Sequence, residues 1–299
     1  MIIEILKGVL SFAAVVLNTL FWCVFLLSVA ILKLIIPIEA WKRFCTKIII
    51  SIGECWIFCN GLWIKLLHRP EWNIEGFESL DKSQWYLSVA NHQSWADIFV
   101  LQEITNRNIP MLKFFMKHVL IWVPVIGLAW WALDMPFLKR YTKEEIEKNP
   151  HLRGKDIKAM KKSFERYSRY PVSIFSFAEG TRFNEKKRLE QHSSFNRLLN
   201  PKSGGIGLTL TTMPYIKLIL DFTICYEDAR RSFWDFLCGR MSKAAIKVRV
   251  IEIPEHFLGK DYEEDAEFRK NLKSWIEDIW KEKDIFLKQY ENINPQKIT

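Results

Sequence analysis

Hydrophobic positions are spread unevenly along the chain. Gly8 to Leu32 is a run of 25 residues without a charge, about 37 Å as a helix, enough to cross a hydrocarbon core of about 30 Å. This predicts a membrane span. It makes a poor signal peptide, because Glu4 accompanies Lys7 before the run and the run is too long for an h-region. Lys33, Lys42, Arg43 and Lys47 follow it and only Lys7 precedes it, a bias that puts the bulk of the chain in the cytoplasm. A second apolar stretch, Ile48 to Leu67, is interrupted by Glu54, Asn60 and Lys65. It is expected to lie in the membrane interface or to return within one leaflet, with a two-span hairpin as the alternative.

From Trp72 the pattern becomes that of a globular domain. Short β-rich runs (Trp85 to Ala90, Val172 to Phe177, Leu218 to Tyr226, Ala245 to Ile253) alternate with helical stretches (Ser94 to Thr105, Lys155 to Tyr170, Ala266 to Lys288). Strands alternating with helices predict an α/β layer fold. The organisation expected is a membrane anchor over 1–70 and a cytoplasmic domain over 71–299. Val119 to Leu133 is uncharged, with Trp122, Trp130 and Trp131, but Pro124 and Gly127 leave it too short and broken to span. It reads either as a buried core helix or as a surface that dips into lipid or lines an apolar groove.

Composition sharpens this. With 49% hydrophobic residues in 299, the chain has too much apolar surface to be disordered, and with 26% charged it is too polar to be membrane throughout. Its mean hydropathy of −0.03 averages a greasy part and a soluble part. The net charge of +9 is concentrated: residues 135–202 hold 17 basic groups against 8 acidic ones, a surplus equal to that of the whole chain. Cations such as Lys161, Lys162, Lys186 and Lys187 read as solvated or lipid-facing charges. The six cysteines show no CxxC pairing and read as reduced core residues, and the six scattered histidines do not cluster as a zinc site needs.

Four segments carry candidate chemistry. Asn91-His92-Gln93-Ser94-Trp95-Ala96-Asp97 follows an apolar strand and opens an apolar helix, the junction where α/β proteins place active sites. A carboxylate one turn on can accept the imidazole Nδ1–H, fix the tautomer and leave Nε2 free to take a proton from a hydroxyl. The same letters also satisfy a capping box, with Asp97 as a helix cap and His92 as an ordinary loop residue. Phe177-Ala178-Glu179-Gly180-Thr181-Arg182-Phe183 offers a glycine for a tight turn, a hydroxyl at Thr181 and the Arg182 fork for a phosphate or carboxylate; alone it reads equally as a turn with a surface salt bridge. Pro136-Phe137-Leu138-Lys139-Arg140 ends an apolar stretch with two cations, as an anion site or as snorkelling side chains. Pro201-Lys202-Ser203-Gly204-Gly205 leads into an apolar helix, as an N-cap or as backbone amides for an anion.

Taken in order, an H-x-x-x-x-D block (His92, Asp97), an F-x-x-R block (Phe137, Arg140) and an E-G-T-R block (Glu179, Gly180, Thr181, Arg182) on an anchored α/β chain resemble the glycerolipid acyltransferases, specifically the 1-acylglycerol-3-phosphate acyltransferase family. Further stretches, among them Trp122-Val123-Pro124, Trp130 to Asp134 and Asp221 to Ile224, are similar to a bacterial inner-membrane branch related to lysocardiolipin acyltransferases, and the likeness covers about residues 10–288. The resemblance implies a mixed sheet flanked by helices. It also implies acyl transfer from acyl-CoA or acyl carrier protein to the 2-hydroxyl of lysophosphatidic acid, giving phosphatidic acid. His92 is then the general base, Asp97 its orienting partner, Arg140 and Arg182 a phosphate clamp, and Glu179 an acceptor-binding group or the orienter of Arg182. No metal or cofactor is expected beyond the acyl donor, the partners expected are lysophospholipid and membrane lipids without nucleic acid, and the expected location is the cytoplasmic side of the bacterial inner membrane. Competing expectations are another acceptor such as lysocardiolipin, a non-catalytic protein binding anionic lipid through the basic middle segment, and, more distantly, a metal hydrolase built on His92, His118 and His151. One departure stands out: the family's fourth block is an apolar run with V-P-I, whereas here Met213-Pro214-Tyr215-Ile216 precedes Lys217 and Asp221.

Overall fold

Three apolar runs form the middle of a six-stranded sheet in the computed structural model, which describes residues 2–78, 80–138, 148–149, 160–161, 164–228 and 230–293. β2 (Tyr86–Ala90) is buried along its whole length between β6 (Ser173–Phe177) and β7 (Leu218–Tyr226), parallel to both. A parallel strand covered on both faces calls for a predominantly apolar run, and these have one. β8 (Lys243–Glu252) pairs antiparallel with β7 and carries β1 (Glu71–Glu75) on its outer edge, while β3 (Leu112–Phe114) closes the other side, giving the order β1-β8-β7-β2-β6-β3. β4 (Met116–Lys117) and β5 (Phe137–Leu138) make a separate small pair. The sheet is therefore mixed and flanked by helices, as expected.

Alternation along the strands divides the core. Leu87, Val89, Ile174 and Ile219 face α6 (Gly204–Thr212) and α8 (Ala266–Ile293), packing on Leu210, Leu272, Ile276 and Trp280. Tyr86, Ala90, Phe175, Leu220, Phe222 and Ile224 face the other way, onto Val100 and Leu101 of α3 (Ala96–Thr105) and Phe236 and Leu237 of α7 (Phe233–Leu237). One residue of β7 breaks the apolar pattern: Asp221, fully buried on the α8 side. Lys283 of α8, itself buried, reaches it at 2.5 Å and also donates to the Phe222 carbonyl at 2.6 Å, and Arg249 binds its other oxygen at 3.0 and 2.6 Å.

Residues 2–68 form an antiparallel hairpin of α1 (Ile2–Ile35) and α2 (Glu39–His68), both long and apolar enough to cross a membrane. The second stretch is thus part of one continuous helix. The residues that interrupt its hydrophobicity bind neighbours: Glu54 pairs with Lys82 at 2.8 Å, Lys65 with Glu103 at 2.6 Å, and Asn60 accepts from Asn18 of α1 at 2.8 Å. α2 also enters the sheet core through Trp63 and Ile64. Both ends of the hairpin touch the globular part. Near one end a side chain added at Gly8 would lie 2.8 Å from the Cys238 sulfur, and Glu4 pairs with Arg240 at 3.1 Å; near the other, Lys33 meets Asp134 at 3.2 Å and Glu39 meets Arg169 at 2.7 Å.

The 119–133 stretch is a 3-10 turn over His118–Trp122 followed by α4 (Ile126–Ala132), and it is not a buried core helix. Ala129 and Ala132 pack on Cys23, Leu26 and Ala30 of α1, but Trp122 is 79% exposed and Val119, Leu128 and Trp131 also face outward. Pro124 and the left-handed Val125 (φ 64) split the stretch so that the hairpin covers only one side. Residues 155–159, 162 and 163 of the Lys155 to Tyr170 stretch lie outside the described residues, and Glu165–Arg169 is a 3-10 turn.

Asp221→Asn leaves Lys283 with no ionised partner at hydrogen-bonding distance, and unfolding of the detergent-solubilised chain should show a loss of about 3–5 kcal/mol. Adding Lys283→Met removes the stranded charge and should restore most of it.

Candidate active site

Ala90, the last residue of β2, stands in register with Phe177 of β6 and Phe222 of β7. The Asn91–Ser94 turn and the Ala178–Arg182 turn therefore leave the sheet side by side at the carboxyl ends of parallel strands, where α/β folds open a crevice. Asn91 replaces strand pairing with its side chain: Oδ1 accepts the Ile224 N–H at 2.8 Å and Nδ2 donates to the Ile224 carbonyl at 2.9 Å. Gln93 Nε2 donates to the same carbonyl at 2.8 Å, and the Phe183 N–H donates to the His92 carbonyl at 2.7 Å, which joins the two turns.

His92 and Asp97 are brought together. His92 Nδ1 lies 2.8 Å from Asp97 Oδ2. The carboxylate is fully buried, and Oδ2 also accepts the backbone N–H groups of Gln93 at 2.7 Å and Ser94 at 3.0 Å. An acceptor already holding two amides obliges Nδ1 to carry its proton toward it, so in the neutral ring Nε2 is the free base. Among the described residues Nε2 has no hydrogen bond. The ring stacks on Phe177 at 3.8 Å between centroids and 14° between planes, and it meets Trp95 edge to face at 6.5 Å. The capping alternative is half realised: Asp97 takes the Ser94 amide, but Ser94 Oγ serves Ala96 and the Arg231 carbonyl and leaves the Asp97 amide alone. Asp97 orients His92 and closes the turn with the same oxygen.

Asp97 Oδ1 is held by a residue that no motif marks. The Tyr226 hydroxyl donates to it at 2.8 Å from β7. Burial, and then the Asp97 charge, push this phenol far above its ordinary range, so it stays protonated and donates. Only the alternation of β7, which puts Tyr226 on the α3 face, hints at it.

Glu179 is the second buried carboxyl of the site. Neither oxygen has a hydrogen-bond partner of good geometry among the described residues. Burial drives its pKa well up; the Leu199 amide, Lys283 and the His92 amide oppose this, and the Asp97 charge adds to it. Gly180 takes φ +70, which only glycine adopts without strain, and Lys202 lies 3.2 Å from where a Cβ would stand. Thr181 Oγ1 accepts from Lys187 Nζ of the short α5 (Glu185–Glu190) at 2.7 Å, and the same ammonium donates to the Arg182 carbonyl at 3.2 Å. Arg182 is exposed, has no ion pair among the described residues, and holds its guanidinium 5.2 Å above the Trp95 ring. The surface-salt-bridge reading of this turn finds no carboxylate partner for Arg182 among the described residues.

Arg140, the remaining expected clamp residue, lies outside the described residues, as does His151. Among the described residues no three His, Cys, Asp or Glu side chains are grouped to hold a metal ion. His118 sits exposed in the 3-10 turn, and the six cysteines are free.

A buried imidazole–carboxylate pair with an open Nε2, beside a turn bearing a carboxyl, a hydroxyl and an unpaired guanidinium, can deprotonate a hydroxyl on an anionic molecule. Known proteins fall in line with this. Residues 71–216 match the acyltransferase family model, which covers both turns. The 1-acyl-sn-glycerol-3-phosphate acyltransferase delta of Homo sapiens is 25% identical over 190 residues, covering 60% of this chain and 45% of that protein, and its Bos taurus counterpart is 26% identical over 193 residues with the same coverage. The match thus spans less than half the length of these curated relatives. The fold is shared with the crystal structure of the 1-acyl-sn-glycerophosphate (LPA) acyltransferase from Thermotoga maritima, with a TM-score of 0.55 at 15% identity over 92% of this chain and 95% of that one. Family model, relatives and shared fold agree: residues 71–216 form a domain of the acyltransferase family, and the chain is similar to the glycerolipid acyltransferases.

Proposed function

We propose that this acyltransferase moves a fatty acyl group from acyl-CoA or acyl carrier protein to the 2-hydroxyl of 1-acylglycerol-3-phosphate. The observation that carries the reading is the His92–Asp97 pair, buried, tautomerically fixed and open at Nε2. A hydroxyl is a weak nucleophile until its proton is taken. In the proposed reaction Nε2 accepts the hydroxyl proton as the oxygen attacks the thioester carbonyl carbon. The tetrahedral intermediate collapses with cleavage of the C–S bond, and the imidazolium returns its proton to the departing sulfur. Asp97, fixed by four donors, stabilises the imidazolium in between. Arg182, without an intramolecular carboxylate among the described residues, is free to pair with the acceptor phosphate, with Arg140 as a second cation. Glu179 is assigned to the acceptor: it makes no ion pair with Arg182, and its oxygens, without a well-formed hydrogen bond among the described residues, suit a substrate hydroxyl.

The same reading makes the protein membrane-bound through its first 70 residues. Gly8 and Lys33 are about 37 Å apart along α1, and the globular part touches the hairpin at both places. A hairpin perpendicular to the bilayer would drag charged domain surface into hydrocarbon. We therefore lay it along the membrane, with the outward Leu17, Phe21, Val24 and Phe25 and the exposed Trp122 and Trp131 dipping into one leaflet. The acyl donors are cytoplasmic, which places the site on the cytoplasmic side of the inner membrane.

Incubating membranes with labelled acyl-CoA and a panel of lysophosphatidic acid, lysocardiolipin and lysophosphatidylcholine tests the assignment. Incorporation should favour lysophosphatidic acid and fall about 10²- to 10⁴-fold in His92→Ala; equal incorporation by wild type and variant overturns the role of His92. Tyr226→Phe withdraws one of the four donors to Asp97 and should lower kcat about 10- to 150-fold with KM unchanged, since a hydrogen bond to a charged group contributes about 1.5–3 kcal/mol. A raised carboxyl pKa means that the folded state binds its proton more tightly than the unfolded chain, so this contribution to stability is lost as pH rises through the folded pKa. Glu179→Gln should accordingly unfold at a higher temperature than wild type at alkaline pH, with the gain shrinking on acidification, while acyl transfer drops.

A further inference from the structure

Trp95 lies inside the histidine block at one of its variable positions and is 50% exposed, although it is one of the largest apolar side chains at the site. Its backbone stands at the entry to α3, fixed on one side by the Ser94 contacts and on the other by Asp97. Its ring is shared. The Arg182 guanidinium sits 5.2 Å over it, and the His92 ring meets it edge to face at 6.5 Å. Among the described residues Trp95 is the only side chain with a ring contact to both the base and the guanidinium. Among the described residues Arg182 has no carboxylate to fix it, and the contact that holds this exposed, long side chain is the aromatic face of Trp95.

This arrangement matters for a bifunctional acceptor. A glycerol phosphate presents its charge and its reacting hydroxyl a fixed number of bonds apart, and catalysis requires the hydroxyl to arrive at Nε2 within a fraction of an ångström. If the guanidinium is pinned, only a hydroxyl at one distance from the phosphate reaches the base. If it swings, hydroxyls one carbon nearer or farther reach it too.

Building on the assignment of Arg182 to the acceptor phosphate, we infer that Trp95 is a positioning residue that sets the spacing between Arg182 and His92 and thereby selects the hydroxyl on the carbon next to the phosphate-bearing one. Trp95 itself takes no part in bond making. Its contribution is regioselectivity toward the acceptor.

The test compares kcat/KM for 1-O-alkyl- and 2-O-alkyl-glycerol-3-phosphate, ether analogues whose chains cannot migrate, in the full-length chain and its Trp95→Phe, Trp95→Leu, Arg182→Ala and Trp95→Leu/Arg182→Ala variants. Wild type should prefer the 1-O-alkyl isomer. Trp95→Leu should cut that preference about two- to fivefold, the range expected for an exposed cation–π contact, with Trp95→Phe retaining most of it. Arg182→Ala should erase the preference, and the double variant should lose nothing further. Unfolding temperatures of the single variants should match wild type, because the substituted side chains are exposed. An unchanged isomer preference in Trp95→Leu, with Arg182→Ala still losing it, overturns the inference and leaves the phosphate clamp standing. If Arg182→Ala keeps both acceptor KM and isomer preference, the clamp itself fails.

Discussion

A carboxylate with no exposed surface needs hydrogen-bond donors in place of the water it has lost, and Asp97 draws four from two parts of the chain. Two are amides of the turn that carries His92, one is the imidazole itself, and the last is a phenol from the neighbouring strand. The anion therefore specifies the turn and the tautomer at once, and it does so only because β7 is already beside β2. β7 is the rail for the whole site. Ile224 anchors Asn91 and Gln93, Tyr226 anchors Asp97, and Asp221 and Phe222 are gripped from the far face by Lys283.

That far-face grip explains a polar residue in the middle of an apolar strand. Asp221 departs from the apolar run usual at this block, and it does so with two cations at hydrogen-bond distance and none of its surface exposed. A buried pair of this kind is weak as a source of stability, since desolvation consumes most of its Coulomb gain. Its value lies in register: only one placement of α8 on the sheet leaves neither charge stranded. α8 in turn brings Lys283 within electrostatic reach of Glu179, so a C-terminal helix carrying no motif contributes to the field of the site.

Legibility in the sequence followed how local each signal is. β7 was readable from Leu218 to Tyr226, and β2 and β6 to within a residue, because strands covered on both faces are continuous apolar runs. β1 and β3 were not, since five mostly polar residues and three residues hold strand form only through their partners. His92, Asp97 and the Glu179–Arg182 turn were found because they sit in compact blocks. Tyr226 joins Asp97 across 129 positions and Lys283 reaches Phe222 across 61, separations at which no spacing rule operates. The interruptions in α2 were misleading for the opposite reason: Glu54, Asn60 and Lys65 look like flaws in a membrane helix until their partners in α1 and the globular part are seen.

The way α2 enters the sheet core has a consequence for how the protein comes into being. Trp63 and Ile64 share one hydrophobic cluster with Leu220 and Phe222, so the hairpin is one wall of the domain as well as its attachment. The hairpin is synthesised before the strand it packs against, which follows about 150 residues later; at a synthesis rate of about 5–20 residues per second the sheet-facing residues of α2 wait for many seconds before β7 can cover them. A lipid surface can shelter them for that interval. Any apolar surface that does so acts as a template, holding one wall upright while the rest of the fold is delivered to it.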